Sequence, residues 1–298
     1  MKILLSGGSG FIGKNLLNFL HHNSENIMVT GRNLNSITYN KINKLKLDLN
    51  NPEASYTKII KYNPDVFVHL AWEGIPDYSE EISRKNYFNT VKLIRMLVNS
   101  TSCSKIISTG SCWEYNDGKI IGKCKESEII NPTKAFSVYK NKVFQEVSKI
   151  TQEKHITFNW LRLFYVYGPG QKENSIIPML VNTFINKKPI NINYPSNKND
   201  FIYVGDVIKI ISEFILKDFI SGIYNVGTGK GIRVYELLKI IDNAINGNNN
   251  LTEEYLKNTD INKQNECFYS CTKKLKKYFD NLEFVNIKDG INKMLKIF

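Results

Sequence analysis

The sequence predicts an α/β fold, a doubly wound parallel sheet followed by a smaller C-terminal domain. Three observations carry that reading. The chain opens on a buried-strand pattern, Ile3-Leu4-Leu5, which breaks at once into Gly7, Gly8, Gly10 and Gly13. Apolar runs then alternate with helix-period segments as far as about residue 165, the rhythm of parallel strands joined by crossover helices. Beyond that point the rhythm loosens. The expected division is therefore 1–168 for a nucleotide-binding domain, completed by a strand near 201–226, and 169–298 for most of a second domain.

The elements follow in order. Phe11 to Leu20 carries apolar residues at helical spacing. Ile27 to Thr30 reads as the second strand and Leu45 to Leu47 as the third. Pro52 to Tyr62 is a helix with proline at its start. Val66 to Leu70 is the fourth strand, Glu80 to Ser100 a long helix, and Lys105 to Thr109 the fifth strand. Pro132-Thr133 introduces a helix from Lys134 to Ile150, and Ile156 to Leu163 is a further strand. Ser175 to Asn186 and Arg233 to Asn246 read as helices. The stretch 191–199 reads as loop, 200–207 and 223–229 as short strands with turns, Asn246 to Asn250 as a loop tip, and the tail as Lys-rich helix.

Strand, glycine turn and helix together make a phosphate cradle. Gly7 supplies the turn, Gly10 lets a phosphate approach the backbone, and Gly13 lets the helix lie close to the strand. The free N–H groups of the helix start face a pyrophosphate. A dinucleotide is expected here rather than a bare glycine turn. After the second strand an NAD site ordinarily carries an acid for the ribose hydroxyls, but Thr30, Gly31 and Arg32 stand there. The planar fork of Arg32 suits a 2′-phosphate, so NADP is expected rather than NAD. An exposed arginine with no ligand is the plainer alternative.

Composition bounds the rest. The chain has 298 residues, 42% of them hydrophobic, and a net charge of +12. A basic surface favours anionic ligands, nucleotide sugars among them. No nucleic-acid motif, metal-ligand pattern or membrane-length apolar run is seen, and no nucleic acid, metal or membrane partner is expected. The five cysteines are scattered and odd in number, which suits reduced thiols in a cytoplasmic protein. The first strand leaves no room for a signal peptide, so none is expected. His69 lies inside an apolar run and reads as a packed residue.

In order along the chain, a set of motifs resembles the extended short-chain dehydrogenase/reductases, in the branch acting on nucleotide-activated sugars. Gly7-Gly8-Ser9-Gly10-Phe11-Ile12-Gly13 is similar to the glycine loop of that family. Asp48-Leu49 matches its adenine-side position, His69-Leu70-Ala71 the motif after the fourth strand, and Asn86 the asparagine of the following helix. Arg162 with Tyr167-Gly168-Pro169, Asp200-Phe201-Ile202-Tyr203-Val204 and Tyr224-Asn225-Val226-Gly227 resemble the later signatures. The resemblance implies a Rossmann-type sheet with a smaller C-terminal substrate-binding domain, and a nucleoside diphosphate sugar substrate. It also implies a homodimer built on the helices near 80–100 and 134–150. Coenzyme contacts are implied at Gly7, Gly10, Phe11, Ile12, Arg32, Asp48, Leu49, Leu70, Ala71 and Lys140, and substrate contacts at Trp72, Ser111, Tyr165 and Asn199. Two of these depart from the pattern: Asn199 stands where an arginine usually binds substrate phosphate, and Tyr165 replaces an asparagine.

The catalytic set of the family is Ser or Thr with Tyr-x-x-x-Lys. Ser111 fits the first position and Lys140 the last, but the tyrosine position holds Phe136. Tyr139 is adjacent to Lys140 and points about 100° around the helix from it. Phe136 keeps the ring and removes the hydroxyl, as in an inactivated reductase, natural or engineered. Family dehydratases carry an acidic pair directly after the Ser/Thr. Here Cys112-Trp113 follows, and Glu114 comes one residue late. The expected reaction is NADPH-dependent reduction of a nucleotide-linked 4-keto-6-deoxy sugar. The alternatives are a nucleotide-sugar 4-epimerase using NAD and, from another class, a non-catalytic nucleotide-binding sensor.

Overall fold

The computed structural model describes residues 1–21, 26–261, 266–279 and 281–296. From β1 (Ile3–Ser6) the chain enters α1 (Phe11–Leu20), then β2 (Ile27–Gly31), β3 (Asn43–Lys46), α2 (Glu53–Tyr62), β4 (Val66–His69), α3 (Glu80–Ser100) and β5 (Lys105–Ser111). A 3-10 turn at Cys112–Glu114 and β6 (Gly122–Cys124) precede α4 (Ala135–Glu153), β7 (Thr157–Leu163) and β8 (Tyr165–Tyr167). There follow α5 (Ile176–Ile185), β9 (Lys198–Asn199), β10 (Phe201–Tyr203), α6 (Val204–Leu216), β11 (Gly222–Val226) and β12 (Ile232–Arg233). The remaining elements are α7 (Val234–Asn246), α8 (Asn250–Lys257), β13 (Cys267–Ser270), α9 (Lys273–Lys276) and α10 (Ile287–Leu295).

As the sequence predicts, the centre is a doubly wound sheet, with strand order β11-β7-β5-β4-β1-β2-β3. Its pairs from β3 through β7 are parallel. The first strand sits in the middle because Ile3, Leu4 and Leu5 are buried, with β2 on one side and β4 on the other. Chain order reverses between β1 and β4, and that reversal opens a crevice at the carboxyl ends of the strands.

The chain divides into two compact units that interleave along the sequence. One comprises Met1–Asp117, Ile129–Leu163 and Ile208–Tyr224, the other Gly118–Glu128, Phe164–Val207 and Asn225–Phe298. The core of the first joins Leu4, Phe67, Ile106 and Trp160 of the sheet to Leu93, Ile94 and Leu97 of α3 and Val143 and Val147 of α4. The second is built on α5, α7 and α10, with Phe184, Leu237 and Ile291 buried among them. It also holds a four-stranded sheet in the order β12-β9-β13-β6 and the parallel pair β8–β10.

Three stretches differ from expectation. In 200–207 only Phe201–Tyr203 is strand, and α6 begins at Val204. Val207, Ile208, Ile210, Ile211, Phe214 and Ile215 are all buried, so a helix face wins over β-branched propensity. Asn199, read as loop, pairs with Ile232 and Phe268 in β9. The tail is interrupted by β13, whose partners β6 and β9 are remote in sequence. The predicted loop tip is short: α7 ends at Gly247, in left-handed backbone at φ 73°, and α8 starts at Asn250.

Candidate active site

The glycine turn is built as its composition requires. Gly7 has φ 77°, and a Cβ on it would lie 2.7 Å from the Ala71 backbone nitrogen, so the loops after β1 and β4 touch. A Cβ on Gly13 would lie 2.2 Å from the Gly7 carbonyl oxygen. At the start of α1, Gly10 supplies no side-chain cap, and the first turn, with Phe11 and Ile12, holds no acid. Its N–H groups and the positive end of the helix dipole face the crevice, the arrangement a pyrophosphate needs. Gly7, Gly10, Arg32, Leu49, Leu70 and Ala71 line one cavity there, with Trp72 and Glu73. Trp72 Nε1 is buried and finds no partner among the described residues, a donor left for a ligand. These features fit a dinucleotide. Asp48 lies past the end of β3, exposed, and its carboxylate accepts from the Asn50 backbone and side-chain N–H groups, each at 2.9 Å.

A carboxylate does stand beside Arg32, but it comes from the loop after β4. Glu73 pairs with Arg32 and, at 3.3 Å, with Lys85. Its backbone is held by Asn86 of α3: the Glu73 N–H donates to Asn86 Oδ1 at 2.7 Å, and Asn86 Nδ2 donates to the Glu73 carbonyl at 2.9 Å.

At the end of β5 a second cluster forms around Lys140. Its ammonium is buried, donates to the Thr109 carbonyl at 2.9 Å and lies 4.0 Å from the centroid of the Trp72 ring. Burial pushes the Lys140 amine down to about 8, and the charge of Glu114 opposes that shift. Phe136, one helical turn earlier, faces the same way: its ring centroid is 6.0 Å from Lys140 Nζ. Trp72, Tyr78 and Trp113 pack edge-on around it at 5.6, 5.0 and 6.3 Å. Tyr139 points elsewhere. Its hydroxyl donates to Glu80 at 3.4 Å, and its ring faces Tyr87 of α3. Ser111 Oγ accepts from the Trp113 N–H at 3.2 Å.

Glu114 is fully buried. It accepts from the Ser111 N–H at 2.7 Å, from Trp160 Nε1 at 3.0 Å and from Arg162 Nε at 3.0 Å. A Cβ on Gly110 would meet Trp160 Nε1 at 2.3 Å, so this glycine makes room for the pair. His69 is fixed between Ser6 and Thr90, at 2.7 and 3.0 Å. Burial, aided by the charge of Lys140, holds its imidazole down to about 3 and therefore neutral. Sequence reasoning missed Glu73 and the Glu114–Trp160–Arg162 lock. A lone arginine inside the apolar strand pattern of β7 was the available sign of a buried partner.

Tyr165 and Asn199 belong to the other unit. The Tyr165 N–H donates to the Asp200 carbonyl at 3.0 Å, and its ring lies 5.6 Å from that of Phe201. Asp200 is buried and ties three segments together, accepting from the N–H groups of Thr228, Gly229 and Ser270 at 2.8, 3.0 and 3.0 Å. Among the described residues no group of three or more His, Cys, Asp or Glu side chains could hold a metal ion, and no helix is long and apolar enough to cross a membrane.

Known proteins with similar sequences are nucleotide-sugar enzymes. The GDP-6-deoxy-D-talose 4-dehydrogenase of Aggregatibacter actinomycetemcomitans is 31% identical over 248 residues, 81% of this chain and 79% of that protein. The CDP-abequose synthase of Salmonella muenchen is 30% identical over 249 residues, 80% of this chain and 79% of that protein. Among solved structures, the UDP-N-acetylglucosamine 4-epimerase of Methanobrevibacter ruminantium superposes with a TM-score of 0.82 at 21% identity, covering 99% of this chain and 97% of that one. The dTDP-glucose 4,6-dehydratase of Bacillus anthracis, solved with NAD, gives 0.81 at 19%, covering 100% and 96%. A family model described as the NAD dependent epimerase/dehydratase family matches residues 3–227. This match, which spans most of the chain, shows that the chain belongs to the NAD dependent epimerase/dehydratase family.

Proposed function

We propose that the chain is an NADPH-dependent reductase of a nucleotide-linked 4-keto-6-deoxy sugar, impaired by Phe136 as the sequence stands. The observation that carries the reading is the buried Glu114. A dehydratase needs an acid beside the catalytic serine that can reach the sugar. The carboxylate nearest Ser111 in sequence is instead committed to Trp160, Arg162 and the Ser111 backbone, with no exposure. The relatives named a GDP-6-deoxy-D-talose 4-dehydrogenase and, at 24% identity, the dTDP-4-dehydro-6-deoxyglucose reductase of Escherichia coli support redox chemistry at this carbon of a deoxysugar.

NADPH bound at the glycine loop would supply the hydride for C4, and the ketone oxygen must gain a proton. Ser111 Oγ, half-buried at the end of β5, would donate a hydrogen bond to that oxygen. Lys140, on the face of α4 that carries Phe136, would bind the nicotinamide ribose and hold positive charge near the reacting oxygen. A phenol at 136 would donate the proton, its ionisation eased by the ammonium. Phe136 keeps the ring packing and lacks that proton, so binding survives and proton transfer slows.

The test is deuterium transfer from labelled NADPH to the sugar in the Phe136→Tyr variant, offered GDP-, CDP-, dTDP- and UDP-linked 4-keto-6-deoxyhexoses. Label at C4 of the sugar with stoichiometric NADP formation is expected. Interconversion of a 4-hydroxy sugar with its epimer, with no net change in coenzyme, would instead make the chain an epimerase.

A further inference from the structure

We infer that Glu73 limits how strongly this protein prefers NADPH over NADH, by competing with a coenzyme 2′-phosphate for Arg32. The inference rests on the reading of the glycine-loop crevice as the dinucleotide site. Its starting point is the missing acid at the end of β2. In NAD sites a carboxylate there accepts from the ribose hydroxyls. Here the chain places a carboxylate at the same cavity from the other side of the crevice, at the third position after Leu70.

The placement is built. Asn86, itself buried, exchanges two hydrogen bonds with the Glu73 backbone, which fixes where the side chain starts. The Glu73 carboxylate is mostly covered, at 22% exposure, whereas its partner Arg32 is 61% exposed. Lys85 holds the second carboxylate oxygen, so Glu73 keeps a partner if Arg32 leaves.

Arg32 borders two cavities. One is the crevice with Gly7, Ala71 and Glu73, and the other is lined by Asn33, Asn35, Lys44 and Lys46. A 2′-phosphate carries nearly two negative charges. It gains from Arg32, Lys44 and Lys46 and is repelled by Glu73, so NADPH must draw the guanidinium away from Glu73. A ribose 2′-hydroxyl has no such contest and can donate to the carboxylate. Glu73 therefore penalises NADPH and is neutral or helpful to NADH.

Direct titration of NADPH and NADH, each read by calorimetry, tests this without turnover and so stands apart from the reaction assigned above. Glu73→Gln keeps the shape and removes the charge. It is expected to tighten NADPH about five- to tenfold and to change NADH by less than about twofold, or to weaken it. Arg32→Gln is expected to weaken NADPH by a similar factor. In the double variant the gain from Glu73→Gln should shrink, because the shared guanidinium is gone. Thermal melts of the free variants confirm folding, and if Glu73→Gln does not fold, Glu73→Asp carries the same comparison by breaking the Arg32 contact. An NADPH-to-NADH affinity ratio within about twofold of the unmodified protein for a folded Glu73 variant would overturn the inference, as would a Glu73→Gln effect undiminished in the Arg32→Gln background.

Discussion

Lys140 and Glu114 are both ionisable and both buried. The Lys140 amine titrates near 8 in the folded protein against an ordinary 10.5, because burial penalises its charge. Between those values the unfolded chain binds more protons than the native one, so native stability rises with pH across that window. Below it, the buried charge costs its full amount. Relative to Lys140→Met, the unmodified protein should thus gain up to about 3 kcal/mol between pH ~7.5 and pH ~10. Urea unfolding of both at the two pH values measures this, and a difference that stays flat would contradict the burial argument. Glu114 carries the opposite risk, since Arg162 is buried with it. Glu114→Gln leaves that guanidinium without its counter-charge and should cost about 3–5 kcal/mol. A loss under about 1 kcal/mol would mean that the lock is not structural.

Among the elements, α1 and its glycine turn were legible because composition and geometry coincide there. A residue that needs φ above zero or no Cβ leaves a glycine in the sequence, and Gly7 and Gly13 are such positions. Ala at Gly13 would put a Cβ against the Gly7 carbonyl and the Gly8 Cα, at 2.2 and 2.7 Å. That wedge should cost about 1–3 kcal/mol and weaken coenzyme binding by about tenfold or more as the helix moves off the turn. Melting temperature and calorimetry read the two effects separately, and unchanged affinity would remove the cradle assignment. Other elements could not be read from local pattern. The α6 face was present at helical spacing, but Phe201, Ile202, Tyr203 and Val204 lead into it with strand formers. β13 exists only because β6 and β9 meet it. Glu73 and Arg32 are likewise far apart in sequence, and a charged pair of that kind leaves no periodic trace.

Across the whole molecule, the sequence motifs and the fold point to the same family, and one exposed face bears on the proposed assembly. Phe88 on α3 is 55% exposed beside Tyr87, and Arg84, Tyr139 and Lys142 border the same surface across α3 and α4. A homodimer through these helices is expected, and light scattering that shows a monomer at micromolar concentration would exclude it. In the proposed reading, the chain is a sugar 4-ketoreductase stopped at one atom, the missing oxygen of residue 136. Single-turnover oxidation of NADPH by Phe136→Tyr, in the presence of a nucleotide-linked 4-keto-6-deoxy sugar that binds, tests it most directly. The expected result is a rate about a hundred- to ten-thousand-fold above that of the unmodified chain, little altered by adding Tyr139→Phe. A Phe136→Tyr protein that binds both ligands and stays inert across the sugar panel would contradict the claim.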